Sequence, residues 1–223
     1  MTFSLIARCA KTGQFGMVIS SSSPAVAARC AHVRAGVGAV ASQNITDPSL
    51  GPLLLDALAQ GKPADQALES IAKDRQHIDY RQLLVIDTTG RTAIHSGSQV
   101  LGIWGEAMGI DCASGGNLLA NPGIPSAMTT AFETAKGHLG DRLIAALTAG
   151  LAAGGEAGPV HSAGIKIADK LDWPLVDLRI DWSDTPIQAL ETAWEIYRPQ
   201  MAAYVQRAED PTEAPSYGVP GDE

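Results

Sequence analysis

The sequence has few cysteines and no paired cysteine motif. Its cysteines, Cys9, Cys30 and Cys112, are odd in number and widely spaced. This pattern is typical of reduced cytosolic thiols, which are more often small buried residues than metal ligands or nucleophiles. The histidines also lack the H-x-x-x-H spacing of a helical zinc site. We therefore predict neither a metal nor a cofactor.

Positive charge and long apolar runs are also scarce. The 16 basic residues face 24 acidic ones, and the resulting formal charge of -8 opposes binding to nucleic acid or to an anionic membrane. No apolar run approaches the roughly 20 residues of a membrane span, and the start lacks the basic and apolar regions of a signal peptide. We expect a soluble, cytoplasmic protein whose partner is a small-molecule substrate, with no nucleic acid and no membrane.

No Ser/Gly/Pro-rich linker divides the 223 residues, a length that suits one domain with a substantial core. We predict a single domain over residues 1–208. Residues 209–223, rich in proline, glycine and acids, are predicted to form a tail.

The hydrophobic pattern predicts strands that arrive as hairpins. Residues 3–9 alternate in polarity, 11–14 form a turn, and 15–20 resume as a second strand. Further strands are predicted over 37–43, 80–87, 91–96, 105–112, 162–167 and 175–180, and helices over 53–60, 63–73, 125–135, 139–153 and 186–207. Hairpins disfavour a doubly wound parallel sheet. The pattern favours an α+β fold in which two antiparallel sheets pack face to face and helices cover each outer side.

The spacing Gly36-x-Gly38-x-x-Ala41 matches a dinucleotide-binding fingerprint. Such glycines follow a strand and open a helix, whereas this segment continues as a strand. We interpret the glycines as positions of close sheet packing.

Thr2 stands directly after Met1, at the head of the first strand. If Met1 is removed, Thr2 carries both a nucleophilic hydroxyl and an α-amine with a pKa of about 8, which can serve as general base. The alternative is a strand-head threonine with no chemical role.

Several segments resemble an uncharacterised bacterial family, domain of unknown function 1028, which is placed among the N-terminal-nucleophile (Ntn) hydrolase-like proteins. The matching motifs are Met1–Ser4, Arg34–Ala41, Gly116–Ala120, Asp177–Asp181 and Tyr217–Asp222. The resemblance implies a four-layer αββα sandwich and hydrolysis of an amide-like C–N bond, with Thr2 in the nucleophile position.

Three further residues are candidates for the site. Arg34, near the start of the third strand, is predicted to lie beside Thr2, where it tunes the α-amine or binds an acidic substrate; the alternative is a surface arginine. Asn117 is a candidate oxyanion donor, or else a turn residue in the left-handed conformation. Ser21 ends the second strand, where its hydroxyl can bond Thr2.

The leading hypothesis is an amidohydrolase that uses Thr2 on a small polar cytosolic compound. The runner-up is a catalytically degenerate scaffold that binds a small ligand or a partner protein in the same cleft. A cysteine hydrolase is disfavoured, because no Cys-His-Asp order stands out. Apolar stripes on residues 143–153 and on the terminal helix predict a homodimer.

Overall fold

The N-terminal hairpin forms the middle of the larger of two sheets. In the computed structural model, which describes residues 1–221, every pair of neighbouring strands is antiparallel. The larger sheet contains, in spatial order, β10 (Val176–Ile180), β9 (Ser162–Ala168), β2 (Phe15–Ser21), β1 (Thr2–Arg8), β8 (Cys112–Asn117) and β7 (Gly105–Gly109). The smaller sheet contains β3 (Ala31–Arg34), β4 (Gly38–Asn44), β5 (Arg81–Ile86) and β6 (Thr92–Ser96).

Helices cover the outer side of each sheet. The helices of the described residues are α1 (Val26–Cys30), α2 (Leu50–Ala59), α3 (Ala64–Ala72), α4 (Ile124–Thr134), α5 (Leu139–Ala152), α6 (Pro186–Tyr197) and α7 (Met201–Glu209), with short 3₁₀ turns at Ile78–Tyr80 and Arg198–Gln200. Helix α1 is not an outer helix, because its buried residues join the apolar cluster between the sheets. The helices α4, α5 and α6 pack on the larger sheet, and α2 and α3 on the smaller one.

The period-two alternation of the strands separates three apolar cores. On β1, Phe3 and Leu5 point toward the helices of the larger sheet, whereas Ile6 points toward the smaller sheet. A separate cluster, which includes Met17 and Leu84, fills the space between the sheets. The chain is therefore a four-layer αββα sandwich, as predicted, and its polar residues on the inner faces lie between two sheets.

The sequence-based boundaries were wrong in three places. The single strand predicted over 105–112 is a hairpin, β7 and β8, because Asp111 adopts a left-handed conformation with φ 55° and turns the chain. The predicted terminal helix breaks into α6 and α7 at Pro199, which has no N–H to continue the helical hydrogen bonds. Both α1 and β3 were unpredicted.

The Gly36–Ala41 segment crosses the β3–β4 hairpin and opens no helix. A Cβ at Gly38 would come within 2.3 Å of the Ile86 carbonyl oxygen and 2.8 Å of the Leu58 side chain. Close packing therefore explains the glycine at this position.

After α7, residues 210–221 run mostly as turns and irregular chain, and residues 222 and 223 of the predicted tail lie outside the described part. The boundary at residue 208 stays a prediction. Within residues 1–221, no helix has both the length and the apolar character needed to cross a membrane.

Candidate active site

Thr2 lies at one end of the layer between the two sheets. It pairs with Asn117 on β8, and its neighbour Phe3 pairs with Ser20 on β2. Because side chains alternate along β1, Thr2 points to the same inner face as Ser4 and Ile6. Thr2 is buried, with 5% of its surface exposed. The fold thus holds its hydroxyl group between the sheets, at their edge.

The hydroxyl of Ser21 lies beside that of Thr2. The two oxygens are 3.5 Å apart, and both hydroxyls donate to the carbonyl oxygen of Met1. Ser21 Oγ also accepts a hydrogen bond of 3.0 Å from the backbone N–H of Ser23. These contacts fix the orientation of the Ser21 hydroxyl, which therefore points its hydrogen toward the main chain that precedes Thr2.

A buried network of amide side chains continues from Thr2 into the space between the sheets. Ser4 Oγ donates to Gln43 Oε1 at 2.7 Å, and Gln43 Nε2 donates to Gln82 Oε1 at 2.9 Å and to the carbonyl oxygen of Gly115 at 3.1 Å. Asn117 Nδ2 approaches the same Gln82 oxygen at 3.4 Å. The network extends the site onto the smaller sheet, and sequence reasoning missed both glutamines.

The side chain of Asn117 presents an acceptor to this site. Its Oδ1 atom is buried and has no hydrogen-bond partner, whereas its Nδ2 atom faces Gln82. An unpaired buried acceptor costs about 1–3 kcal/mol. The free Oδ1 atom suits an N–H donor, such as an amine or an amide, and the role of Asn117 as an oxyanion donor stays a prediction.

Arg34 lies far from Thr2. It is the last residue of β3 and pairs with Gly38, five residues before Gln43 on β4. At about 3.3 Å per residue, Gly38 and Gln43 are roughly 17 Å apart along β4. Its guanidinium binds Asp56 on α2 at 2.8 Å, and both side chains are largely exposed. The expectation that Arg34 flanks Thr2 was wrong, because the unpredicted strand β3 places it at the opposite end of the sheet.

Glu156 is a carboxylate at this corner that sequence reasoning did not find. Both of its oxygens accept from the backbone N–H of Ser22 at 3.1 Å, and only 5% of its surface is exposed. A bridge to Leu119 anchors its backbone. Burial raises the pKa of Glu156 to about 7, although the positive α-amine of Met1 and the hydrogen bonds from Ser22 act in the opposite direction.

The loop over residues 97–104 closes the same end of the sandwich. Asn44 accepts from the N–H of Leu101 at 3.3 Å, and the N–H groups of Leu118 and Leu119 donate to Leu101 and Ile103 at 3.0 and 2.8 Å. Leu118 holds a left-handed conformation with φ 51°, which costs a non-glycine residue about 1–2 kcal/mol. This strained residue follows Asn117 directly, so it fixes where β8 ends.

The geometry offers no metal centre among the described residues, where no three His, Cys, Asp or Glu side chains converge on one point. What it does bring together is three hydroxyls, three amides and one carboxylate around the head of β1. Thr2, Ser21 and Asn117 lie together at this corner and Arg34 lies elsewhere, and the chemical roles of the first three stay predictions.

The four layers and the threonine at the head of a central strand define a protein with an Ntn-hydrolase-like fold. Residues 2–190 match the family of unknown function DUF1028, and the chain belongs to this family. A solved Silicibacter pomeroyi protein of the same family superposes with a TM-score of 0.86 at 29% identity, covering 92% of this chain and 90% of that chain.

Two other solved structures show weaker likeness. HslV from Trypanosoma brucei has a TM-score of 0.47 at 10% identity, covering 75% of this chain and 99% of that chain. Anbu (ancestral beta-subunit) from Yersinia bercovieri has a TM-score of 0.41 at 11% identity, covering 91% and 97%. No curated protein matches the chain.

Proposed function

We propose that this protein is an amidohydrolase whose nucleophile is the hydroxyl of Thr2, freed at the N-terminus by removal of Met1. The substrate is a small polar cytoplasmic compound with an amide-like C–N bond. The observation that carries the proposal is the position of Thr2 Oγ1. It lies buried at the end of the inter-sheet layer, 3.5 Å from a second oriented hydroxyl and next to a polar network.

Once Met1 is removed, the reaction needs only groups that belong to this corner. Thr2 Oγ1 attacks the substrate carbonyl carbon while the α-amine takes its proton. The amine returns the proton to the leaving nitrogen as the C–N bond breaks, which leaves an ester on Thr2. Water, activated by the same amine, then hydrolyses the ester and regenerates the hydroxyl. Ser21 orients the nucleophile, and Asn117 Oδ1 is free to accept an N–H of the substrate or the amine.

The experiment is a screen of small amides, ureas and lactams for released ammonia or amine, followed by variants on any substrate found. Thr2→Ala should abolish turnover because the nucleophilic oxygen is lost, and Thr2→Ser should retain part of it. An uncleavable N-terminal tag should inactivate the protein as completely. Thr130→Ala, on the exposed face of α4, is the matched control and should leave the rate unchanged. Wild-type turnover by Thr2→Ala would exclude this mechanism.

A second candidate is a degenerate scaffold that binds a ligand without hydrolysing it. The observation that favours it is the carbonyl oxygen of Met1, which accepts from Thr2 and Ser21 and occupies the corner itself. While Met1 is attached, the nitrogen of Thr2 is an amide and has no base capacity. Intact mass of the untagged protein decides between the two, because the hydrolase must lack Met1.

A further inference from the structure

We infer that Glu156 is the counter-ion of the Thr2 α-amine and positions that amine as the general base. This inference rests on the proposed function, because it concerns the chain that starts at Thr2. In such a chain Thr2, its amine and Glu156 stand in the relation of nucleophile, base and orienting acid, the arrangement by which a carboxylate holds a base in place and stabilises the cation it becomes.

The contacts around Ser21 and Ser22 place the amine next to the carboxylate. Covalent geometry puts the nitrogen of Thr2 about 2.2 Å from the carbonyl oxygen of Met1. That oxygen accepts from Ser21 Oγ, and the next residue, Ser22, gives its N–H to both oxygens of Glu156. The amine freed by loss of Met1 therefore lies at the corner that Glu156 lines.

A nearby cation would stabilise the ionised form of this buried carboxyl group. An ionised carboxyl group away from water is costly, and the hydrogen bonds from Ser22 act against this cost. The α-amine of Met1 already stabilises the charged form of Glu156 across this corner. After processing, the shorter chain replaces that amine by the amine of Thr2.

Two other titratable groups near the corner do not take the place of Glu156 or of the amine in this pair. The thiol of Cys30 feels the charge of the N-terminal amine, but burial raises its pKa. His161 donates its backbone N–H to the carbonyl oxygen of Ser21, and its ring lies 3.7 Å from the exposed carboxylate of Asp184. His161 thus has its own acidic partner.

During attack, the proton of Thr2 Oγ1 moves to the α-amine and produces an ammonium group. The carboxylate of Glu156 stabilises this ammonium group as it forms. When the proton passes to the leaving nitrogen, the amine becomes neutral again and Glu156 remains ionised. Glu156 forms no bond to the substrate in this scheme, so its role is to position and to tune the base.

The test measures the pKa of the Thr2 amine directly and needs no substrate. The chain is released from a cleavable leader so that it starts at Thr2, intact mass verifies the start, and [¹³C]threonine labelling follows the Thr2 Cα resonance against pH. The Thr2→Ser variant, which lacks this resonance, assigns it. Glu156→Gln should lower the pKa of the amine by about one unit, because it removes the nearby negative charge. The pKa of the amine in Glu156→Asp should lie between the values in the wild type and in Glu156→Gln.

Glu133→Gln is the matched control, since Glu133 also accepts a backbone N–H, from Ile110 at 2.7 Å, at the opposite end of β8. This substitution should leave the pKa of the Thr2 amine unchanged. The titration curve of the wild-type resonance should, by itself, show a second inflection that comes from Glu156. The absence of this inflection would overturn the inference even if Glu156→Gln failed to fold. Coincident titrations of wild type and Glu156→Gln would overturn it as well, whereas a wrong nucleophile would appear only in the kinetics of Thr2→Ala.

Discussion

Replacing Glu156 by glutamine should change how the stability of the fold depends on pH. The carboxyl group has a pKa of about 7 in the folded chain against 4.5 in its reference state. A folded pKa above the unfolded one means that the native state binds more protons between these values. Its contribution to stability is therefore fully present below about pH 4.5 and is lost as the pH rises through about 7.

The size of this effect follows from the shift. Each unit of pKa corresponds to 1.36 kcal/mol, so a rise from 4.5 to about 7 amounts to roughly 3 kcal/mol as an upper bound. Glutamine keeps an oxygen that accepts the N–H of Ser22 and has no charge to bury. Relative to wild type, Glu156→Gln should therefore gain stability steadily from pH 4.5 to 7 and keep the gain above pH 7. For a chain of this length, the gain corresponds to about 6–12 °C in melting temperature.

The assay is urea unfolding, followed by tryptophan fluorescence at pH 5, 6, 7 and 8, for wild type and variant with Met1 retained in both. Groups such as Asp47 and Asp87, whose pKa values are lowered by hydrogen bonds despite their burial, titrate alike in both proteins and cancel in the difference. Glu133→Gln should follow the wild type at every pH. Parallel profiles of wild type and Glu156→Gln would refute the argument, because they would mean that Glu156 titrates as an exposed acid.

Three other outcomes are expected. Arg34→Ala should leave turnover unchanged and destabilise the fold by less than about 1 kcal/mol in thermal unfolding, because its pair with Asp56 is exposed; a large loss of activity would restore it to the site. Iodoacetamide with peptide mass spectrometry should label Cys9 first, since its pKa is lowered by hydrogen bonds against the effect of burial, and Cys112 last, since burial raises its pKa to about 12; the reverse order would contradict this. Light scattering should report twice the 23.2 kDa chain mass, because the cleft of about 930 Å³ between α5 and α6, which combines apolar side chains such as Ile144 with charged ones such as Glu191, is open to a second copy; a monomer at micromolar concentration would refute the dimer.

The fold was predictable wherever the local pattern and the tertiary structure agree. Residues 15–20 are mostly apolar on both faces because one face of the hairpin meets helices and the other meets the second sheet, so this pattern indicates a sheet that is covered on both sides. Asp111 was missed because a single left-handed residue splits a run that reads as one strand. The helical pattern after residue 186 continues past Pro199, and so it hid the break there.

The site was predictable only where it is local in sequence. Thr2 and Ser21 face each other because they end paired strands, which the hairpin pattern already indicates. Gln43 and Gln82 meet Asn117 only because β4 and β5 pack across β8, and that packing is invisible in any short window. Glu156 reaches Ser22 through a contact 134 residues away in the chain, and a lone acid after two glycines gives no signal of it.

Glu156 lies at this corner, where the sequence analysis expected Arg34, and this difference reverses the expected direction of the shift in the pKa of the base. A guanidinium beside the amine would lower its pKa and extend activity toward acid, whereas a carboxylate raises the pKa and confines activity to higher pH. The pH–rate profile of an active preparation should therefore fall on the acidic side at or above the amine's ordinary value of about 8. In Glu156→Gln the same limb should move toward lower pH by about one unit while the maximal rate drops, since the ammonium group formed during attack loses its partner. A limb that stays in place in this variant would show that the carboxylate does not act on the base.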